Sequence, residues 1–334
     1  MIPGSIEVLY KLCRFDLALS LLHMVSVVTA NSGSASIFFS SERESLLKTN
    51  RVVYADLHTH STASDGMLSP QQLVEKAAAM GLNVLGLTDH DSVDGVAAAS
   101  AAATAAGIKL VAGIELSCGW EGRDSSIHVL GLFVRTDAPA LVELLETQKK
   151  SRFVRAHKIL QLLTQQGFDM SELSENFNSS PEKVLGRPHL ARYLVEKGYV
   201  KDFQEAFDRF LLRGRPAYVP KDHVAPELGI EVIHSAGGIA VLAHPGLIPD
   251  WERVWEKIQS MPWDGIETYY SEHTNSDTRK FAAIVADRKW IATGGSDYHG
   301  DYGKHVDRLG QTGLSREQFE GLLESCSNRG VRCF

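Results

Sequence analysis

Cysteine is scarce in this 334-residue chain, and its four copies, Cys13, Cys118, Cys326 and Cys333, form no CxxC pair. That excludes a zinc ribbon and fits reduced thiols in a cytoplasmic protein. A surplus of positive charge is lacking too: 34 Lys and Arg stand against 41 Asp and Glu, for a net charge of −7. A general nucleic-acid surface is therefore unsupported, and any phosphate-bearing ligand must be recognised locally. No internal repeat is evident. Apolar runs long enough to cross a membrane are also missing; the nearest approach, "LALSLLHMVSVVTA" from Leu17 to Ala30, is too short for a secure span. With Lys11 and Arg14 before it and "NSGSAS" after it, this run resembles a signal-peptide core, but Glu7 and Asp16 flank it and His23 interrupts it. Residues 1–50 are read as an N-terminal extension, either a loosely attached helix or residues upstream of the native start, with a targeting segment as the alternative.

What the chain does have is alternation. A hydrophobic content of 44% and a charged content of 22% are ordinary for a globular protein. From Val52 onward, short apolar runs alternate with helical patterns. "VVYADLHTH" reads as a strand and "SPQQLVEKAAAMG" as a helix, with Ser69 as N-cap, Pro70 at N1 and Gly81 as stop. "NVLGLTDH", "KLVAGIELSC", "SIHVLGLFV", "IAVLAHP", "GIETYY" and "WIATGGSDYH" read as further strands. Strands separated by helices imply an α/β protein with a parallel sheet or barrel. Residues 139–215 break the pattern with helical periodicity and no strand, so they read as a helical insertion between barrel segments 51–138 and 216–334.

The strands share one feature: ionisable residues at their ends. "DLHTHSTASDG", Asp56 to Gly66, brings His58, His60 and Asp65; the later strands bring His90, Glu115, His128, His244, Asp297 and His299. In barrel enzymes the C-terminal strand ends form the active site, so these residues should converge. His58 and His60 are two apart on a strand, as are Asp297 and His299, which points each pair to one face. Imidazoles with carboxylates suit Zn, Mn or Fe. His244 precedes Pro245, which disfavours helix and predicts extended geometry at the strand tip. Each residue has a plain reading as well. A lone histidine such as His128 is more often a hydrogen-bonded core residue, "TDHD" alone could cap a helix, and Asp65-Gly66 alone is a turn. Six of thirteen histidines and three carboxylates at successive strand ends are hard to assign to chance.

In order, "DLHTHSTASDG", "LGLTDHDSVDG", "GIELSC", "IHVLG", "VLAHPG" and "GGSDYHG" resemble the polymerase-and-histidinol-phosphatase (PHP) family over about residues 52–300. The resemblance implies a distorted (β/α)7 TIM-like barrel with three divalent ions, Mn2+ foremost and Zn2+ or Fe2+ as alternatives. It implies a first metal on His58, His60, Glu115 and Asp297. Glu115 bridges to a second, held also by His128 and His244, and a third sits on Asp65, His90 and His299. Within the family, "GRPHLARYLVEKG" and "GRPAYVP" in the insertion, followed by "AGGIAVLAHPG", are most similar to the branch that hydrolyses nucleoside 3′,5′-bisphosphates and, in some members, trims short RNA from the 5′ end. Histidinol phosphate phosphatases share the metal motifs without this insertion signature. Polymerase-linked PHP modules sit inside longer chains with polymerase domains, which this sequence does not contain. A non-catalytic module braced by metals is the alternative of another class, disfavoured because a structural site gains nothing from an open water position.

The expected chemistry is attack on phosphorus by a hydroxide between the first two metals, while the third, on Asp65, His90 and His299, holds a phosphate oxygen. Asp89 or Asp91 is expected to orient His90 or another ligand. A second phosphate needs its own cationic seat, for which Arg187, His189, Arg215 and Lys221 are the candidates, each also readable as solvated surface. Tyr269 and Trp120 are candidates to stack on a base, or to serve only in packing. The expected partners are a small nucleotide bisphosphate or a short RNA, without a stable nucleic-acid complex or a membrane. Oligomeric state is not legible.

Overall fold

The computed structural model describes residues 53–120, 123–179, 185–220, 224–301 and 308–334. The expected extension at 1–50, the Trp120 side chain and Lys221 lie outside the described residues. Seven strands follow one another in sheet order: β1 (Ala55–Asp56), β2 (Val84–Leu87), β3 (Lys109–Trp120), β4 (Arg123–Leu132), β5 (Ile239–Leu242), β6 (Gly265–Tyr270) and β7 (Ile291–Gly295). The ends of the sheet meet: the Leu57 N–H donates to Gly294, that of Asp297 to His58 and that of His60 to Tyr298, so the sheet is a nearly closed barrel. β1 must come close to β7, and Gly295 allows it, since a Cβ there would lie 2.5 Å from the His58 backbone nitrogen.

The parallel expectation holds for β1–β2–β3 and β5–β6–β7, but β4 runs antiparallel to both its neighbours. No helix separates β3 from β4, and two strands joined directly can only form an antiparallel hairpin. His128 therefore reaches the mouth from the middle of a reversed strand, opposite Ser117, rather than from a C-terminal strand end.

Helix α1 (Pro70–Ala79) starts at Ser69 as expected, with a capping box to Gln72. Such a cap contributes about 1 kcal/mol. Helix α2 (Val96–Ala106) follows β2. Between β4 and β5 lie α3 (Pro139–Gln165), α4 (Ser171–Asn178), α5 (Arg187–Glu196), α6 (Phe203–Ala206) and a π-helical turn, Phe207–Leu211. The first turns of α3 put Leu141 into the barrel core beside Ile114 and Val129. Its later turns put Ala156, Ile159, Leu160 and Leu163 into a separate apolar cluster with Leu190, Leu194 and Phe210. One helix thus belongs to two cores. The barrel is completed by α7 (Pro226–Ser235), α8 (Trp251–Ile258), α9 (Asn275–Arg288) and a C-terminal helix, α10 (Arg316–Asn328), missing from the sequence-based series. Helix α10 buries Phe319, Leu322 and Cys326 against the barrel interior. Among the described residues no helix is long and apolar enough to cross a membrane.

Candidate metal centre and substrate cavity

Glu115 of β3 lies at the middle of the mouth, fully buried. Five imidazoles reach it: His90 Nδ1 at 2.9 Å, His128 Nδ1 at 2.7 Å, His244 Nε2 at 2.9 Å, and His58 and His60 Nε2 at 3.3 Å each. A carboxylate has room for about four hydrogen bonds, so this crowd exceeds what hydrogen bonding can satisfy. Asp297 lies 3.0 Å from His60 Nε2 and 3.3 Å from His58 Nε2, and Asp65 lies 3.2 Å from His299 Nε2. All nine residues expected as metal ligands therefore lie in one cluster.

Electrostatics and geometry point the same way. Burial alone would raise the Glu115 carboxyl, but the imidazoles of His90, His128 and His58 hold it well below the usual carboxylate range. Asp297 and Asp65 are held low against burial by the same kind of neighbours. Several buried lone-pair atoms have no hydrogen-bond partner among the described residues: His58 Nε2, both ring nitrogens of His60, Asp65 Oδ1, His90 Nδ1, Glu115 Oε2 and His244 Nδ1. Buried polar atoms left so are costly, and donor atoms that face one another without hydrogen-bond geometry fit a bound cation. Three groups have ligand atoms within 4.8 Å of one another: His58, His60, Glu115, Asp297; His60, Asp65, His90, His299; and His90, Glu115, His128. The residues present fit divalent ions in an imidazole–carboxylate site.

The surroundings of the cluster depart from the sequence reading in four places. First, His58 is oriented by Glu267 of β6, whose carboxylate accepts from His58 Nδ1 at 2.9 Å and from the His244 backbone N–H at 2.7 Å. This leaves His58 Nε2 as the lone-pair atom facing Glu115. Glu267 was missed, although a carboxylate inside "GIETYY" was the available signal. Second, of the ligands Asp89 was expected to orient, it serves the loop of Asp65 and not His90; its buried carboxylate accepts from Ser61 N (2.7 Å), Ser61 Oγ (2.8 Å) and Ser64 Oγ (2.6 Å). It secures the loop that delivers Asp65. Third, Asp91 accepts from the Ser117 N–H at 2.8 Å and pairs with Arg152 of α3, a residue the sequence reading passed over. Fourth, His244 is not extended: its φ is +27° and ψ +57°, entering a 3₁₀ turn at Pro245–Leu247. Proline excludes the right-handed helical region before it, and the bend is met in the left-handed region instead. Asp91 (φ 47°) and Asp297 (φ 53°) share that region, so strained backbone gathers at the tips of β2, β5 and β7.

Beside the cluster lies a cavity of about 320 Å³, lined by Asp65, His90 and His128 of the barrel and by Arg152, Arg155 and Arg187 of the helical segment. Arg187 opens α5, donates to the Leu211 carbonyl at 3.3 Å and lies over the Phe207 ring. His189 also lines the cavity, but burial lowers its pKa, and its Nδ1 accepts from the Gly186 N–H at 3.2 Å. It enters as a neutral ring, not a cation. Arg215 sits in an exposed turn closed by the Tyr218 N–H and does not line the cavity. Tyr269 also points away, its hydroxyl accepting from Gln318 of α10 at 2.7 Å. Its neighbour Tyr270 faces the cluster and donates to Asp297 Oδ2 at 3.0 Å. The pairing of β6 with β7 skips Thr268, and this bulge reverses the alternation that would have put Tyr269 on the side of Glu267.

A family model of the PHP domain matches residues 56–211. A 5′-3′ exoribonuclease of Haemophilus influenzae is 38% identical over 248 residues, covering 73% of this chain and 89% of that protein. The chain belongs to the PHP family. A 3′,5′-nucleoside bisphosphate phosphatase of Chromobacterium violaceum is 37% identical over 259 residues, covering 75% of this PHP protein and 90% of the relative. A solved structure of an amidohydrolase from the same organism, with bound sulfate and no metal, superposes with a TM-score of 0.71 at 33% identity, covering 81% of this chain and 96% of that one.

Proposed function

We propose that this PHP protein is a divalent-metal-dependent phosphoesterase that removes the 3′-phosphate of nucleoside 3′,5′-bisphosphates and trims short 5′-phosphorylated RNA. One observation carries the reading: a single cavity of about 320 Å³ is lined both by Asp65, His90 and His128 of the His/Asp/Glu cluster and by the cations Arg152 and Arg187. Candidate metal ligands and fixed cations thus share one pocket. Both reactions break the same bond, phosphorus to the O3′ of the 5′-terminal nucleotide. Water adds to phosphorus and O3′ leaves as the hydroxyl, so one site serves both substrates. The two curated relatives carry one activity each in their names.

We assign the nine clustered residues to three ions, Mn2+ foremost. Bound there, the ions supply a deprotonated water at neutral pH and offset the charge of the phosphoryl group. The chain's own residues do the rest. Glu267 fixes His58 in the tautomer that presents Nε2. Asp89, through Ser61 and Ser64, holds the loop of Asp65. Arg152, kept by Asp91, and Arg187, kept by the Leu211 carbonyl, bind the second phosphate, and residues 139–215 act as a substrate cap. A cytoplasmic setting without a stable nucleic-acid complex belongs to the same reading.

The test is phosphate release, with Mn2+, from 3′-phosphoadenosine 5′-phosphate and from histidinol phosphate, alongside shortening of a 5′-phosphorylated oligoribonucleotide. Turnover of the first and third supports the proposal. Turnover of histidinol phosphate alone would replace it, and turnover of none would leave a non-catalytic module.

A further inference from the structure

Helix α3 carries more positive charge than the cavity uses. From Thr147 to Phe168 the chain has no carboxylate, yet it carries Lys149, Lys150, Arg152, Arg155 and Lys158, in a protein of net charge −7. Lys149 lies 3.8 Å from Asp94, and Arg152 pairs with Asp91. Lys150 and Lys158 are exposed and form no ion pair with a described residue. With Val154 between them they follow at i, i+4 and i+8, one stripe of α3, about 12 Å from end to end at the helical rise. Val154 is 53% exposed, an apolar step between two cations.

The stripe borders a groove of about 300 Å³, lined by Lys150, Val154, Arg155, Lys158, Val219 and Pro220. Arg155 lines this groove and the substrate cavity alike, and its Nε donates to the Val219 carbonyl at 2.8 Å, which fixes the groove's far side. Cavity and groove therefore adjoin the same guanidinium. A mononucleotide bisphosphate is accounted for by the cavity alone; a neighbouring cationic groove with apolar faces matches a strand that continues beyond it.

We propose that this groove binds the phosphodiester backbone of single-stranded RNA downstream of its 5′-terminal nucleotide, Lys150 and Lys158 each meeting a phosphate. The proposal rests on the RNA-trimming reading above, and it predicts that length of substrate, not chemistry at the metals, depends on α3. The test is the full-length protein with Lys150→Glu and Lys158→Glu combined. Binding of a 3′-labelled, 5′-phosphorylated octaribonucleotide is followed by fluorescence anisotropy in EDTA across a salt series, and hydrolysis of 3′-phosphoadenosine 5′-phosphate is followed with Mn2+. Each single-strand phosphate contact contributes about 0.7 to the slope of log affinity against log salt, so the double variant should lose about 1.4 of slope. It should also bind the octamer at least roughly tenfold more weakly at low salt, while bisphosphate hydrolysis stays within about twofold, which also reports an intact fold. Unchanged octamer affinity and slope would overturn the groove, as would an equal loss on the bisphosphate. Tight, salt-dependent octamer binding that the variant abolishes, without cleavage by the parent protein, would support the groove and overturn trimming.

Discussion

Glu115 sits on a strand and is reached by five imidazoles, whereas Arg187 sits on a helix and is held by a carbonyl and an aromatic face. The two regions they represent, barrel mouth and helical segment, both keep charge in a part-buried cavity, but by different means. At the mouth, stiff ligands project from neighbouring strands, and opposite charges hold one another in unusual protonation states: His299 is raised to about 10 because Asp65 and Asp297 outweigh its burial. On the helices, long cationic side chains reach inward from separately packed elements. A metal centre needs donor atoms placed within tenths of an ångström, which a sheet supplies; a phosphate clamp tolerates the slack of an arginine.

That contrast predicts a steep difference in how the two regions respond to mutation. The largest effect should come from Glu115→Gln, which removes the charge shared by five imidazoles. Loss of about 4 kcal/mol of transition-state stabilisation corresponds to a fall in kcat/KM on the order of 10³-fold. Metal content by elemental analysis should fall with it. A Glu115→Gln protein that keeps both its metal and its rate would remove the mouth from the chemistry.

Next in size is Glu267→Gln. The amide oxygen can accept from His58 Nδ1 or from the His244 N–H but not from both, and it no longer strengthens the imidazole as a ligand. Outer-shell carboxylates of this kind typically contribute 10- to 100-fold in metal affinity or activity, roughly. Mn2+ titration of the apoprotein should show weaker binding in that range, with the folded state unaltered. An affinity within twofold of the parent protein would reduce Glu267 to a packing role.

The mouth was largely legible in the sequence and the helical wall was not, for physical reasons that particular residues display. His58, His60, Asp297 and His299 stand at spacings of two on apolar strands, where a charged group needs a partner. Arg152 could not be found this way, because "QKKSRFVRAHK" has the periodicity of an amphipathic helix and its inward-facing arginine looks like the lysines beside it. Glu267 was hidden for the opposite reason: a single carboxylate in a buried strand has no spacing to announce it. The reversal of β4 was implicit in the missing helix before it, yet it shows only when connections are read as well as elements. Pro245 announces a restriction at His244, but the hydrogen bond from the His244 N–H to Glu267 is long-range, and no local pattern encodes it.

A smaller effect separates the two walls of the cavity. Arg187→Ala should raise KM for a nucleoside 3′,5′-bisphosphate by roughly 10- to 70-fold, the loss of a charge-assisted hydrogen bond of about 1.5–2.5 kcal/mol. KM for an aryl phosphate, which has no second phosphate, should move by less than about twofold, and kcat for either by little. Equal changes for both substrates would take Arg187 out of substrate binding and leave it as a tie between α5 and the π-helical turn.

The smallest effect tests the β6 bulge, and with it the side of the strand that faces the metals. Burial and the nearby Asp297 carboxylate keep the Tyr270 hydroxyl protonated, so it acts as a donor to Asp297 Oδ2. Tyr270→Phe removes that donor from a carboxylate in the cluster and should lower kcat/KM by about fivefold, near 1 kcal/mol. Tyr269→Phe removes the acceptor for Gln318, on the α10 side of the barrel. It should lower the melting temperature by a few degrees at most, under about 1 kcal/mol, with kinetics unchanged. Strict alternation along β6 would give the reverse, a kinetic effect at Tyr269 and a stability effect at Tyr270. Measuring both constants for both variants therefore decides between a bulged and a regular strand, because skipping one residue exchanges the faces of Tyr269 and Tyr270.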